Sequence, residues 1–207
     1  MQFQDKIVLI TGASSGIGEA TAHELAGAGA IPLLVARREI ELKRVAGELR
    51  QRHGVAARWI AADITQPRDR ERVRDAVASD QGRLHVLINN AGITAHGRFD
   101  ESRMAVLRQT MEVNFFAAVE LTALLVPLLK QTPGEKAIVL VSTPSGLYGV
   151  PGRYAYSASK AAGHVWMETL RMELAADQIH SLIFCPGYTV TALRTSGLSG
   201  DGSRLAK

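Results

Sequence analysis

Cysteine is nearly missing. Cys185 is the sole thiol among 207 residues, so an internal disulfide is excluded and a reducing compartment, the cytoplasm, is expected. It stands in an apolar run, which suits packing better than nucleophilic attack. Runs of one charge are missing too. The formal net charge is +4 and the pI about 9.5, yet no basic run is longer than Arg37-Arg38. Scattered basic residues read as solvation with room for one local anion site, and no nucleic-acid partner is expected. Met1 to Lys6 is polar and does not read as a signal peptide. No apolar stretch, read from the sequence, reaches the length of a membrane span, so no membrane partner is expected. Internal repeats, low-complexity tracts and linkers are also missing, which leaves one domain over residues 1–207.

What is present is alternation. Short apolar runs at Lys6–Ile10, Ile31–Ala36, Ala56–Ala61, Leu84–Ile88, Ala137–Val141 and Ile179–Phe184 read as buried strands. Helical stretches lie between them: Glu19–Ala28, Glu39–His53, Arg68–Ser79, Arg103–Lys130 with an interruption near Pro127, and Tyr154–Leu174. Continuous apolar strands alternating with helices predict an α/β fold whose parallel sheet is covered on both faces. Gly197–Lys207 is rich in glycine and serine and reads as a loop.

Three stretches carry chemistry. Thr11–Gly18, T-G-A-S-S-G-I-G, joins a strand to a helix, the setting in which a helix N-terminus receives phosphate. Gly12 permits a sharp turn, Gly16 lets backbone approach a pyrophosphate, and Gly18 lets the helix pack close to the strand. Ser14 and Ser15 add hydroxyls. The spacing is G-x-x-x-G-x-G, not the general G-x-G-x-x-G. The second stretch closes the next strand. Ala36 stands where an NAD site has an acidic residue for the ribose 2′-hydroxyl, and Arg37 and Arg38 follow. Two arginines suit the 2′-phosphate of NADP(H), which is expected over NAD(H).

The third stretch is Ala155–Ala162, A-Y-S-A-S-K-A-A. On a helix, Tyr156 and Lys160 share a face. A free phenol titrates at about 10. A fixed cation nearby favours the phenolate, and a phenol so tuned gives a proton to a carbonyl oxygen or takes one from an alcohol. Taken alone, the pair also fits a surface Tyr and Lys on one helix face.

Lesser signals sit at strand ends. Asp63-Ile64 lies where an adenine ring is approached, though Asp63 also suits a cap for the helix after Pro67. Asn89-Asn90-Ala91-Gly92 allows close passage of a flat ligand, or is simply a turn. Asn114 lies mid-helix among apolar neighbours and needs partners; a structural and a functional amide fit equally. Ser142, Thr143 and Ser145 put hydroxyls where open α/β sheets place ligands.

Together these segments resemble the classical short-chain dehydrogenase/reductase family over essentially the whole chain. The resemblance rests on T-G-A-S-S-G-I-G, N-N-A-G, Asn114, Y-S-A-S-K and Pro186-Gly187, in order and in context. It implies a Rossmann-type doubly wound sheet in three αβα layers. It also implies hydride transfer between a nicotinamide and a small alcohol, ketone or aldehyde. Tyr156 would be the general acid/base and Lys160 would lower its pKa and bond the nicotinamide ribose. Asn114 would anchor a water that relays protons to Lys160. The family's catalytic serine falls at Thr143, which keeps the hydroxyl, with Ser145 in reserve. Cofactor contacts are implied for Gly12, Ser14, Ser15, Gly16, Ile17, Gly18, Arg37, Arg38, Asp63, Ile64, Asn90, Ala91 and Gly92. They extend to Tyr156, Lys160 and Pro186, and to Gly187, Thr189 and Thr191, the last three fixing the carboxamide. No metal is implied. His96, Tyr148, Arg153, Tyr154 and Tyr188 are candidates for the substrate pocket. The long helices imply a homodimer or homotetramer. Family members continue past Pro186-Gly187 to a further helix and strand, so the fold reads as breaking off, either because residues are missing or because this is a shortened member, with 192–207 a flexible start of the substrate loop. The competing expectation is a family member that binds NADP(H), has lost turnover and serves a regulatory role.

Overall fold

The computed structural model of the chain describes residues 2–79, 82–191, 193 and 197–205. In order, its elements are β1 (Ile7–Thr11), α1 (Gly16–Gly27), β2 (Ile31–Ala36), α2 (Glu39–His53), β3 (Arg58–Ala61), α3 (Pro67–Ser79), β4 (Val86–Asn89) and β5 (Ala95–His96). Then come α4 (Met104–Met111), a π turn (Glu112–Phe116), α5 (Ala117–Gln131), β6 (Lys136–Val141), α6 (Tyr154–Glu173), β7 (Ile179–Phe184) and β8 (Leu198–Ser199).

Six strands pair in parallel in the order β3-β2-β1-β4-β6-β7. Alternate side chains of one strand enter opposite cores, as the pleat requires. Val8 and Ile10 pack with Ala22 of α1 and with Leu42, Val45 and Leu49 of α2. Leu9, between them, packs with Val73 of α3, Leu121 and Leu125 of α5 and Met167 of α6. That division makes three layers, helix–sheet–helix. β2 and β3 run outward from β1 on one side, and β4 returns to the other. The C-terminal ends of β1 and β4 therefore splay into a crevice, where such sheets take ligands. On the α1/α2 face the cover thins towards β7, whose Leu182 and Phe184 are 54% and 48% exposed.

Four expectations change. The first helix starts at Gly16, not Glu19, which puts Gly16, Ile17 and Gly18 in its first turn. The long helix is not interrupted at Pro127, which lies inside α5. Pro127 is exposed, so the carbonyl it leaves without a donor is on the solvent side. The irregularity falls instead at Glu112–Phe116. Gly197–Lys207 is not wholly a loop, because Leu198–Ser199 pairs with Ala95–His96. Residues 192, 194–196, 206 and 207 of the expected substrate loop lie outside the described residues. Finally, the unbroken run Met104–Gln131, 28 residues with an 18-residue window of mean hydropathy 1.7, does meet the length and composition of a membrane span. Its Ala117, Leu121, Leu125 and Leu129 are fully buried in the sheet core, while 39% of that window is buried in all.

Glycine replacements test this packing. A Cβ on Gly18 would stand 2.5 Å from both Asn90 Nδ2 and the Gly12 carbonyl, whereas one on Gly47, in the middle of α2, meets nothing within 4 Å. In urea unfolding, Gly18→Ala is expected to lose about 1–3 kcal/mol, and Gly47→Ala to gain up to about 1 kcal/mol from helix propensity.

Candidate active site

The glycine-rich turn is braced from the neighbouring strand. Thr11 Oγ1 accepts from the amides of Asn90 and Ala91, each at 3.0 Å, and Asn90 Nδ2 donates to the Thr11 carbonyl at 2.8 Å. Gly12 and Gly16 both have φ of about +60°, at 65° and 60°, the left-handed region glycine enters freely. Here the loop must turn twice within five residues. Ser15, the N-cap of α1, makes no side-chain bond to its own helix. Its hydroxyl instead takes Arg38 Nη2 at 2.7 Å, and Ser14 Oγ takes the same nitrogen at 3.0 Å. The first-turn amides of α1 lack intrahelical acceptors. Amides, hydroxyls and a guanidinium thus meet at one helix N-terminus, a donor set for an anion. Arg37 is exposed beside it and Ala36 closes β2.

The second wall is α6. Tyr156 and Lys160 are 8% and 4% exposed. Lys160 Nζ donates to the Val141 carbonyl at the end of β6, at 2.8 Å. A Cβ on Gly92 would lie 3.6 Å from that Nζ and 3.1 Å from Asn114 Oδ1. The structure therefore brings Gly92, Asn114 and Lys160, from three separate elements, to one spot. The π turn carries Asn114 there, since π bulges re-aim side chains within a helix. Its carboxamide is fully engaged: Oδ1 accepts from Ile93 N at 2.8 Å, and Nδ2 donates to the Ile93 carbonyl and Ser159 Oγ, each at 2.9 Å.

Thr143 and Ser145 lie together in the short turn after β6, and that turn packs on α6. A Cβ on Gly146 would be 3.2 Å from Lys160 Cβ. Ser145 Oγ donates to Thr143 Oγ1 at 3.3 Å, which leaves the Thr143 proton free to donate elsewhere. The two candidate hydroxyls thus act as a pair.

Electrostatics depart from expectation. Burial pushes the Tyr156 phenol above its usual value, and the opposing cation is Arg153, not Lys160. Arg153 stands 5.8 Å from the centre of the Tyr156 ring and is tethered by Nη1 to Thr94 Oγ1 at 2.8 Å. Lys160 is itself pushed down to about 8 by burial, against the pull of Cys185. Arg153 is the N-cap of α6, three residues before Tyr156, and so lies within reach of its ring.

Other expected residues are placed as follows. Asp63 Oδ1 accepts from Thr65 N and Oγ1 at 3.0 and 2.8 Å, holding the turn before α3. The Ile64 side chain is in the core and its carbonyl takes Arg70. Pro186 and Gly187 follow β7, and Thr189 Oγ1 donates to the Gly187 carbonyl at 3.0 Å. Thr191 reaches the glycine-rich turn: its Cγ2 is 3.2 Å from where a Gly16 Cβ would sit. The segment 186–191 therefore spans the crevice from β7 to α1. Ile17 is half-buried in the first turn of α1. Among the described residues, Glu19, His23 and Glu48 form one group with metal-ligand spacing. Arg44 already holds both carboxylates, at 2.9 and 2.7 Å.

The chain as a whole is similar to known proteins. Residues 6–200 match the family described as short chain dehydrogenase. The chain belongs to the short-chain dehydrogenase/reductase family. It is 36% identical over 206 residues to a dehydrogenase/reductase SDR family protein 7-like of Anopheles gambiae, covering 98% of this chain and 65% of that one. It is 38% identical over 203 residues to 11-beta-hydroxysteroid dehydrogenase 1A of Arabidopsis thaliana, covering 97% and 57%. The chain thus spans only about two thirds or less of these relatives' length. Among solved structures, L-sorbose reductase of Gluconobacter frateurii, complexed with NADPH and L-sorbose, is 31% identical with a TM-score of 0.87, covering 91% and 72%. A family member of Burkholderia phymatum in complex with NAD is 28% identical with a TM-score of 0.88, covering 93% and 69%.

Two titrations test the electrostatics. Removing the cation by Arg153→Met is expected to raise the Tyr156 pKa further. Tyrosinate absorbance, referenced to Tyr156→Phe, reads it. Lys160 binds its proton less tightly folded than unfolded, so this residue adds stability as pH rises from about 8 towards the lysine value of about 10.4. Chemical unfolding across that window should show a rise of up to about 3 kcal/mol that Lys160→Met abolishes.

Proposed function

We propose that this family member is an NADP(H)-dependent oxidoreductase that interconverts a small alcohol with a ketone or aldehyde. The observation that carries the reading is the placement of a buried phenol and a buried ammonium one turn apart on α6, beside the anion-binding turn of α1. The donor set there suits a dinucleotide. It has hydroxyls, helix amides and a guanidinium. Arg38 would hold the 2′-phosphate with Ser14 and Ser15, and this favours NADP(H). A relative complexed with NADPH supports that preference, while one complexed with NAD makes it worth measuring.

A nicotinamide held along this crevice would supply or accept the hydride. The rest falls to side chains. Tyr156 would give its proton to the carbonyl oxygen in reduction and take it back in oxidation. A phenol raised by burial keeps that proton at neutral pH, so the acid role is the resting one. Arg153 restrains the rise and stabilises the phenolate left behind. Thr143, its oxygen already accepting from Ser145, would donate to the same substrate oxygen and polarise the carbonyl. Lys160 would offer its remaining protons to the ribose. Asn114 would hold the Gly92–Ile93 backbone in place, and an ordered water beside Lys160 would complete a proton path. Gly187, Thr189 and Thr191 would fix the carboxamide. Cytoplasmic placement, a substrate free in solution and self-association through α4–α6 belong to this same reading.

Tyr156→Phe should lower kcat for reduction of a reactive carbonyl by about 10²–10⁴-fold, with NADPH binding little changed by fluorescence titration. Unchanged turnover would remove Tyr156 from the acid role. Loss of a charge-assisted contact in Arg38→Ser should weaken NADPH binding about 10- to 100-fold and leave NADH binding nearly as it was. Equal weakening of both would transfer the preference elsewhere.

A further inference from the structure

One buried titratable side chain beside the crevice has no part in that mechanism. His164 lies one turn beyond Lys160 on α6 and is 8% exposed. Its Nε2 is 2.6 Å from Ser142 Oγ and 3.9 Å from Cys185 Sγ. A Cβ on Gly146 would stand 3.0 Å from the same nitrogen. One edge of the imidazole therefore touches the end of β6, the turn that follows it and the residue after β7.

Ser142 is the pivot among these contacts. Its amide donates to the Phe184 carbonyl at 2.7 Å. The carbonyl on the other side of the same peptide, that of Val141, accepts from Lys160 Nζ. A peptide group is planar and rigid, so N–H and C=O turn together. Held by both its amide and its hydroxyl, Ser142 fixes the direction of the Val141 carbonyl. Thr143 comes next in the chain, so its orientation follows.

We infer that His164 is a positioning residue: through Ser142 it holds the Val141–Ser142 peptide, and thereby sets the Lys160 ammonium and the Thr143 hydroxyl. The inference rests on the roles proposed above for Lys160 and Thr143. The groups facing His164 are Lys160 and Glu168 on α6, Cys185 after β7 and Ser142 after β6. Burial and then the Lys160 charge push the imidazole below its usual value, with Glu168 opposing. At neutral pH the ring is therefore uncharged and puts no second cation beside Lys160.

The test uses three variants of the full chain: His164→Leu, His164→Gln and Ser142→Ala. Glutamine carries an amide near the Nε2 position, leucine only volume, and the serine variant removes the pivot with the least change in packing. The first readout needs no turnover. Lys160 is titrated by ¹³C-lysine NMR, its signal identified by its loss in Lys160→Met. With the carbonyl partner loosened, the ammonium is less supported. His164→Leu and Ser142→Ala should lower the Lys160 pKa by about one unit, and His164→Gln should restore most of it. The second readout is the pH profile of kcat for NADPH-dependent reduction, whose limb should move with the NMR value. An unchanged Lys160 titration in both His164→Leu and Ser142→Ala, even with lowered melting temperature, overturns the inference and reduces His164 to packing. A shifted titration in a chain that turns over nothing upholds it while sinking the proposed activity. An unshifted titration beside normal turnover does the reverse.

Discussion

A buried ammonium resting on one carbonyl organises this molecule. Lys160 is almost wholly withdrawn from water, and burial penalises its charge. The hydrogen bond to Val141 joins the middle of α6 to the end of β6. Removing a charge from water is expensive unless its protons are placed. The ammonium can donate three bonds, and those not taken by Val141 face the region of Gly92 and Asn114. The crevice is therefore built around a group that gains from a further acceptor, the sort a ribose hydroxyl or an ordered water provides. A positive group held ready costs stability in the free protein and lowers the cost of ordering a ligand.

Much of the layout was legible before any coordinates. Parallel-sheet burial writes itself as continuous apolar runs, and their alternation with helices indicates a sheet covered on both faces; the order of the strands came only with the structure. The glycine-rich turn, Asn90, Asn114, Tyr156 and Lys160 stand where motif spacing puts them, because spacing on a helix or at a strand end translates directly into position. Electrostatics were not legible in the same way. The cation acting on Tyr156 is Arg153, the N-cap of α6 three residues before it, tethered to Thr94; the sequence marks it only as a candidate for the substrate pocket, since the Tyr–Lys motif draws the eye to Lys160. His164 could have been found: it is four residues beyond Lys160, hence on the same helix face, but a lone histidine in an apolar helix reads as packing.

Arg38 illustrates a reading that was half visible. Two arginines after β2 signal an anion, yet nothing in the sequence says which one reaches the glycine-rich turn. Both are exposed, and Arg38 is the one bonded to Ser14 and Ser15. Similarly, Pro127 is where the sequence points to a break in the long helix, because proline is the strongest local signal. An exposed position spared that proline. The real irregularity has no compositional mark, since Glu112–Phe116 contains neither glycine nor proline.

That wide turn ties distant parts of the chain to one another by rotation. An α-helix advances about 100° per residue, so one residue more or fewer between α4 and α5 swings everything upstream around the common axis. With the present count, Val106 and Thr110 of α4 face inward while Leu121 and Leu125 of α5 face the sheet. Asn114 sits at the joint between them, and from there reaches both Ile93 and Ser159.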